Sequence, residues 1–227
     1  MLPSRRLAVI ALAAATVLLA ADRFAQARGW TLIGKKAGIT VTSREVQGRG
    51  FPTFRGVGVI AADLFDVLAV LSDIKRHPEW LERAKDVRLV RKINEREYVV
   101  YGRTDAPWPV SDRDAVYRSK TAVDLAKKTV TVRFWAVKNA SVPKRSGVVR
   151  MDNLRGHYIF KALGPKRTRV EYQVDADPGG WLPKWIAKMA TKWLPQRTLE
   201  GLRRQVKKTA GCAAYKARIA RWRAGKY

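Results

Sequence analysis

The chain has one cysteine, Cys212, and two histidines, His77 and His157, among its 227 residues. A lone cysteine excludes an internal disulfide, and so few Cys and His leave no ligand set of the kind that holds zinc. No metal or other cofactor is expected. Acids are also scarce, with 19 Asp and Glu against 46 Lys and Arg, a net charge of +27. No apolar run reaches the roughly 20 residues that a bilayer-spanning helix needs. There is no glycine-rich phosphate loop leading into a helix, no internal repeat and no low-complexity linker. Neither histidine has a Ser, a Cys or a carboxylate pair beside it in a recognisable catalytic constellation, so a non-enzyme is expected. A chain of this length without a linker reads as one domain with a sizeable core.

What is present begins with the N-terminus. Arg5 and Arg6 precede an apolar stretch from Leu7 to Ala21, and Ala25-Gln26-Ala27 follows. This is the three-part pattern of a signal peptide over residues 1–27, with a retained anchor as its alternative. The protein is therefore expected to be exported, periplasmic or secreted. Without residues 1–27, which hold Arg5, Arg6, Arg23 and Asp22, 43 basic side chains still face 18 acids. Such an excess favours an anionic surface, either lipid head groups or nucleic acid, and a basic nucleic-acid-binding protein is one alternative; export makes the membrane surface the expected partner. In an exported monomer, nucleic acid is not the expected partner.

Along residues 28–210 the periodicity is mixed. Gly38–Val46 and Phe51–Ile60 read as a hairpin, and Leu64, Phe65, Leu68 and Leu71 fall at helical spacing after Asp63. From Asp86 the period becomes two, giving about eight strands in total and an antiparallel meander. Val130, Val132 and Phe134 alternate with Thr131, Arg133 and Trp135, as do Val170, Tyr172 and Val174 with Arg169, Glu171 and Gln173. One face of the sheet is thus apolar and must be covered. After the Asp177-Pro178-Gly179-Gly180 turn, residues 181–222 read as helix interrupted near Pro195, with 211–227 a basic extension of it. A long helix across a curved sheet can enclose a tunnel.

Three segments carry a family resemblance: the octet Pro107-Trp108-Pro109-Val110-Ser111-Asp112-Arg113-Asp114, the hairpin running from 149 to 180, and the helix from Trp181 to Val206. Together they resemble the START (steroidogenic acute regulatory protein-related lipid transfer) domain over roughly residues 30–208. The resemblance implies an α+β helix-grip fold, a curved antiparallel sheet wrapped around a C-terminal helix over one hydrophobic cavity. It also implies binding or transfer of one lipid, such as a sterol or phospholipid, without shared catalytic residues. Related helix-grip domains include polyketide cyclases and aromatases, and an inward-facing His157–Arg133 pair would favour that alternative.

The candidate ligand-binding residues are Trp108, Arg113, Tyr117, Arg133, His157, Tyr172, Trp185 and Met189. Trp108 lines the cavity mouth, touches membrane, or packs its loop. Arg113 either contacts a ligand head group or forms a loop ion pair with Asp114 or another acid. Trp185 and Met189 are expected on the inner face of the helix. Trp181, Lys184, Lys188 and Lys192 are the membrane-docking candidates, an interfacial indole beside a basic stripe.

Overall fold

The computed structural model describes residues 29–48 and 50–225, leaving aside the side chains of Lys184 and 187–192. The expected signal peptide over 1–27 lies outside the described residues. The strands are β1 (Thr31–Lys36), β2 (Ile39–Arg44), β3 (Thr53–Ile60), β4 (Ala84–Asn94), β5 (Glu97–Thr104) and β6 (Asp112–Asp124). They are followed by β7 (Thr129–Ala136), β8 (Val148–Arg150), β9 (Asn153–Gly164) and β10 (Arg167–Asp177). The helices are α1 (Leu64–Ser72), a 3₁₀ helix (Ile74–Glu79), α2 (Lys184–Lys208) and α3 (Ala213–Arg223).

The sheet order is β1-β2-β3-β10-β9-β7-β6-β5-β4, with β8 added parallel to β6. This is not the simple meander expected from the sequence. The segment carrying α1 and the 3₁₀ helix takes the chain from β3 to β4 at the opposite edge, and β10 returns to pair with β3. β4 slips register against β5 three times, and such bulges bend and twist a strand. The result is a strongly curved, open sheet.

The concave face is set by alternation. Val130, Phe160 and Val170 are fully buried and pack against Leu64, Leu68 and Val67 of α1, which closes one end of the curve. Asp63 caps α1 by accepting a hydrogen bond from the Phe65 amide at 2.9 Å. α2 runs through Pro195 without the interruption expected there. It can lie directly on β3 because Gly56 has no side chain; a Cβ there would stand 3.0 Å from the Pro195 Cβ and 3.3 Å from Leu199.

The helix breaks later, after Lys208, where Gly211 takes φ +74°. Residues 211–227 are therefore not an extension of α2. They contain a separate helix, α3, which folds back on α1 and buries Tyr215 and Trp222. The Tyr215 hydroxyl donates to Asp73 just past the end of α1 at 2.9 Å, and Arg223 pairs with the cap residue Asp63 at 3.1 Å. Buried apolar residues outcompete helix continuity here, because α1 still has a face to cover.

Candidate functional site

Between the concave face, α1 with its 3₁₀ helix, and the first half of α2 lies a cavity of about 370 Å³. That is within the range of small-molecule sites. Its walls are rows of the sheet. Tyr98, Ser119, Phe134, Val174 and Phe54 form one cross-strand row through Gly156, and Thr121, Val132, Tyr158 and Tyr172 form the next. Gly156 is needed in the first row. A Cβ there would lie 2.9 Å from one Phe134 ring carbon and closer still to another, and would collide with the Gln173 carbonyl. α2 contributes Ile186 and Leu194, and Pro107, Val110 and Met151 stand at the open end.

Aromatic rings dominate the floor. Tyr158 and Tyr172 stack with centroids 4.6 Å apart, and Phe134 stands 6.1 Å from Tyr158 and 6.2 Å from Tyr117. Burial pushes the Tyr117, Tyr158 and Tyr172 phenols well above their ordinary pKa, so they stay neutral. His77 also borders the cavity. Its Nε2 donates to the Leu71 carbonyl at 2.7 Å, and burial lowers its pKa and keeps it neutral.

Arg113 borders the cavity too, but its donors point at backbone. Nη1 donates to the Ser111 carbonyl, Nε to Pro178 at 3.4 Å, and Nη2 to Gly179 at 3.2 Å and Trp181 at 3.1 Å. The turn it grips requires glycine, since Gly179 and Gly180 both take φ +59°. Burial lowers the arginine's pKa, opposed by nearby Asp112. The expected loop ion pair with Asp114 is not formed. Asp114 pairs with Arg150 instead, and Arg113 is a clamp between the 107–111 loop and the 178–181 turn. Arg113→Leu is expected to cost about 2–4 kcal/mol by freeing four carbonyls from a cationic donor. Thermal unfolding run beside ligand retention checks this, and lost ligand at an unchanged melting temperature would contradict the clamp.

The other expected site residues divide. Tyr117 and Tyr172 line the cavity. Arg133 and His157 do not: they are register partners on the convex face, opposite in parity to Val132, Phe134 and Tyr158. His157 instead faces Glu171 at 3.6 Å. Trp108 is 89% exposed on the loop at the mouth, so it packs neither loop nor cavity. Trp185 is 57% exposed and its neighbour Ile186 takes the inward position. Trp181 is 68% exposed at the start of the helix. The side chains of Met189, Lys184, Lys188 and Lys192 lie outside the described residues.

Tyr158 and Trp80 line the cavity without having been candidates from the sequence, and Phe134, placed there on the apolar face, lines it too. The parity of β9 was available for Tyr158, since it is the cross-strand partner of Tyr172 while His157 pairs with the outward Gln173.

The convex pair around Glu171 has a pH signature. The His157 ring 3.6 Å away and then Arg169, which donates at 3.0 Å, hold the Glu171 carboxyl at about 2, against an ordinary 4.5. A depressed carboxylate pKa stabilises the fold above the ordinary value, and that stability is lost as pH falls toward the depressed one. Melting temperature should therefore drop between about pH 4.5 and 2, and less so in Glu171→Gln.

Comparison with known proteins places this arrangement. A family model described as START domain matches residues 10–210. An uncharacterised protein of Pseudomonas aeruginosa is 32% identical over 184 residues, covering 81% of this chain and 90% of that protein. The phosphatidylcholine transfer protein of Bos taurus is 28% identical over 166 residues, covering 72% of this chain and 77% of that one. The crystal structure of a STAR-related lipid transfer protein fragment from Xanthomonas axonopodis superposes with a TM-score of 0.72 at 32% identity. That match covers 79% of this chain and 99% of the fragment.

Proposed function

The chain belongs to the START domain family, and from that membership and its cavity we propose that it binds one lipid or similar hydrophobic molecule and carries it between membranes. The observation that supports this best is the cavity itself, with an aromatic and aliphatic lining under α2. Each methylene moved from water into such a lining is stabilised by about 0.8 kcal/mol. Transfer then requires a cavity and an opening, with no bond made or broken. The enzymatic alternative rested on an inward His157–Arg133 pair, and these residues face outward.

In this reading the mouth docks on a bilayer. Trp108 and Trp181, the two most exposed tryptophans, belong to the two segments that Arg113 ties together. Indole favours the membrane interface. Lys184, Lys188 and Lys192 recur at helical spacing on α2 beside them and add attraction to anionic lipid, about 1 kcal/mol each near the surface. The protein works after export, where such surfaces are accessible to it.

Native mass spectrometry of protein purified from its source, with solvent extraction of what it carries, tests the function directly. One hydrophobic molecule per chain is the expected result. A chain that carries none and takes none from vesicles would refute it. Sedimentation with vesicles tests the docking, since equal binding to anionic and zwitterionic vesicles would remove the electrostatic part.

A further inference from the structure

Polar groups are unevenly distributed along the cavity. Among the described residues, its charged lining side chains all sit at the mouth: Glu82 and Arg83 before β4, Arg103 and Asp105 at the end of β5, and Arg113 at the start of β6. Each already has a partner. Glu82 pairs with Arg197 at 3.6 Å, Arg83 with Asp105 at 3.5 Å, and Arg103 with Asp112 at 3.6 Å, while Arg113 holds four carbonyls.

The inner end differs. There the lining carries the hydroxyls of Tyr117, Tyr158, Tyr172, Ser119 and Thr121, and none of these donates to or accepts from a described residue through its side chain. One position beyond the Tyr158–Tyr172 pair the sheet is solid core, since Phe160 and Val170 are fully buried and do not border the cavity. The rings of this cluster lie close together, Tyr158 4.6 Å from Tyr172, and Phe134 6.2 Å from Tyr117, 6.1 Å from Tyr158 and 6.5 Å from Tyr172. These hydroxyls face the cavity with no partner among the described residues, and a ligand that enters supplies partners that an apolar lining does not.

Ring geometry decides which ligand group that is. A quaternary ammonium needs open aromatic faces. Tyr158 stacks on both Tyr172 and Phe160, and Phe134 stacks on Tyr172, so these faces are occupied by one another. A phosphate needs a cation, and among the described residues the cations of the lining are at the mouth and paired. Phenol, serine and threonine hydroxyls donate and accept, which suits an uncharged hydroxyl or carbonyl.

We propose that the inner end of the cavity receives an uncharged hydroxyl- or carbonyl-bearing group, so that the protein selects neutral lipids over lipids with a phosphocholine head. This rests on the lipid-binding function proposed above. It sets the chain apart from the phosphatidylcholine transfer proteins among its relatives.

Dioleoylglycerol and dioleoylphosphatidylcholine test it, because they share acyl chains and differ in the head group. The full chain is incubated with vesicles holding both at equal mole fraction, and the extracted occupant is measured by mass spectrometry. Dioleoylglycerol should exceed its partner at least tenfold. Tyr117→Phe, Tyr158→Phe and Tyr172→Phe should each reduce that ratio about threefold to tenfold without lowering the melting temperature. Equal uptake, or preference for phosphatidylcholine, overturns the head-group assignment and leaves lipid binding standing. Uptake of neither lipid overturns both. Selectivity that survives in the triple Tyr→Phe variant, with its fold checked by melting, overturns the role of the phenols.

Discussion

Asp114→Ala is expected to destabilise the fold by about 3–5 kcal/mol, because it strips a buried cation of its partner. Asp114 sits in β6 with its side chain 1% exposed, and Arg150 of β8 reaches it with its own 8% exposed. The contact is bidentate: Nε donates to Oδ1 at 2.6 Å and Nη2 to Oδ2 at 3.1 Å. The same guanidinium donates to the carbonyls of Val142 and Pro143 at 3.3 and 3.2 Å, which holds the 138–147 loop against the outer face of the sheet. Under that loop Val99, Tyr101, Val116 and Val142 make a second, smaller core. Losing the carboxylate leaves Arg150 buried and uncompensated, so it must move and carry the loop with it. Urea unfolding checks the size of the effect. Asp114→Ala combined with Arg150→Met should recover much of the loss, since no unpaired charge remains. A single variant within 1 kcal/mol of the parent would contradict the argument.

Gly201→Ala is the second large effect. Gly201 is in α2 where the helix crosses the segment following the 3₁₀ helix, and a Cβ there would land on the Trp80 carbonyl oxygen and 3.0 Å from its carbon. The obstacle is backbone, which cannot rotate away. α2 would have to lift off, opening the contacts of Leu199 and Leu202, both fully buried. Overpacking of this kind costs about 3 kcal/mol, or about 6–12 °C of melting temperature for a domain of this size. Gly34→Ala is the control, since nothing stands within 4 Å of its added carbon. A loss at Gly201 no larger than at Gly34 would show that α2 is not seated on Trp80.

The two failures around Arg113 and Trp108 show where sequence reasoning stops. Neighbours in a strand point to opposite faces, so Arg113 and Asp114 could not pair once both lay in β6. The period of two is legible only from Ala115 onward, so the sequence left both residues in the preceding loop, where a pair was open to them. What it could not supply was the replacement partners, the carbonyls of residues 178–181 and Arg150, which are distant in sequence and meet only through the sheet order. Trp108 looked like an anchor because large apolar residues usually are; its exposure depends on where the loop lies, and no local pattern encodes that.

Alternation identifies an apolar face holding Val132 and Phe134 on β7 and Tyr172 on β10, and the helical pattern after Gly180 supplies its cover; the helix-grip arrangement comes from the resemblance to the START domain. The sequence nevertheless offers Arg133 and His157 as ligand residues, and their outward parity, Arg133 opposite in face to Val132 and His157 opposite in face to Tyr158, corrects that choice. Helix boundaries were harder. Pro195 reads as a break but lies against Gly56, and the real break near Gly211 reflects the uncovered face of α1.

α3 fastens α1 near both its ends, through Arg223 to Asp63 and Tyr215 to Asp73. The closed end of the cavity is thus stapled by side chains from a separate helix, whereas the mouth is held chiefly by the carbonyls around one guanidinium. Amide hydrogen exchange should follow that asymmetry, slow through α1 and the second half of α2 and faster in the 105–111 and 178–183 segments. The molecule has a fixed heel and a less fastened lip, so in the proposed function cargo would pass at the lip without the heel unfolding.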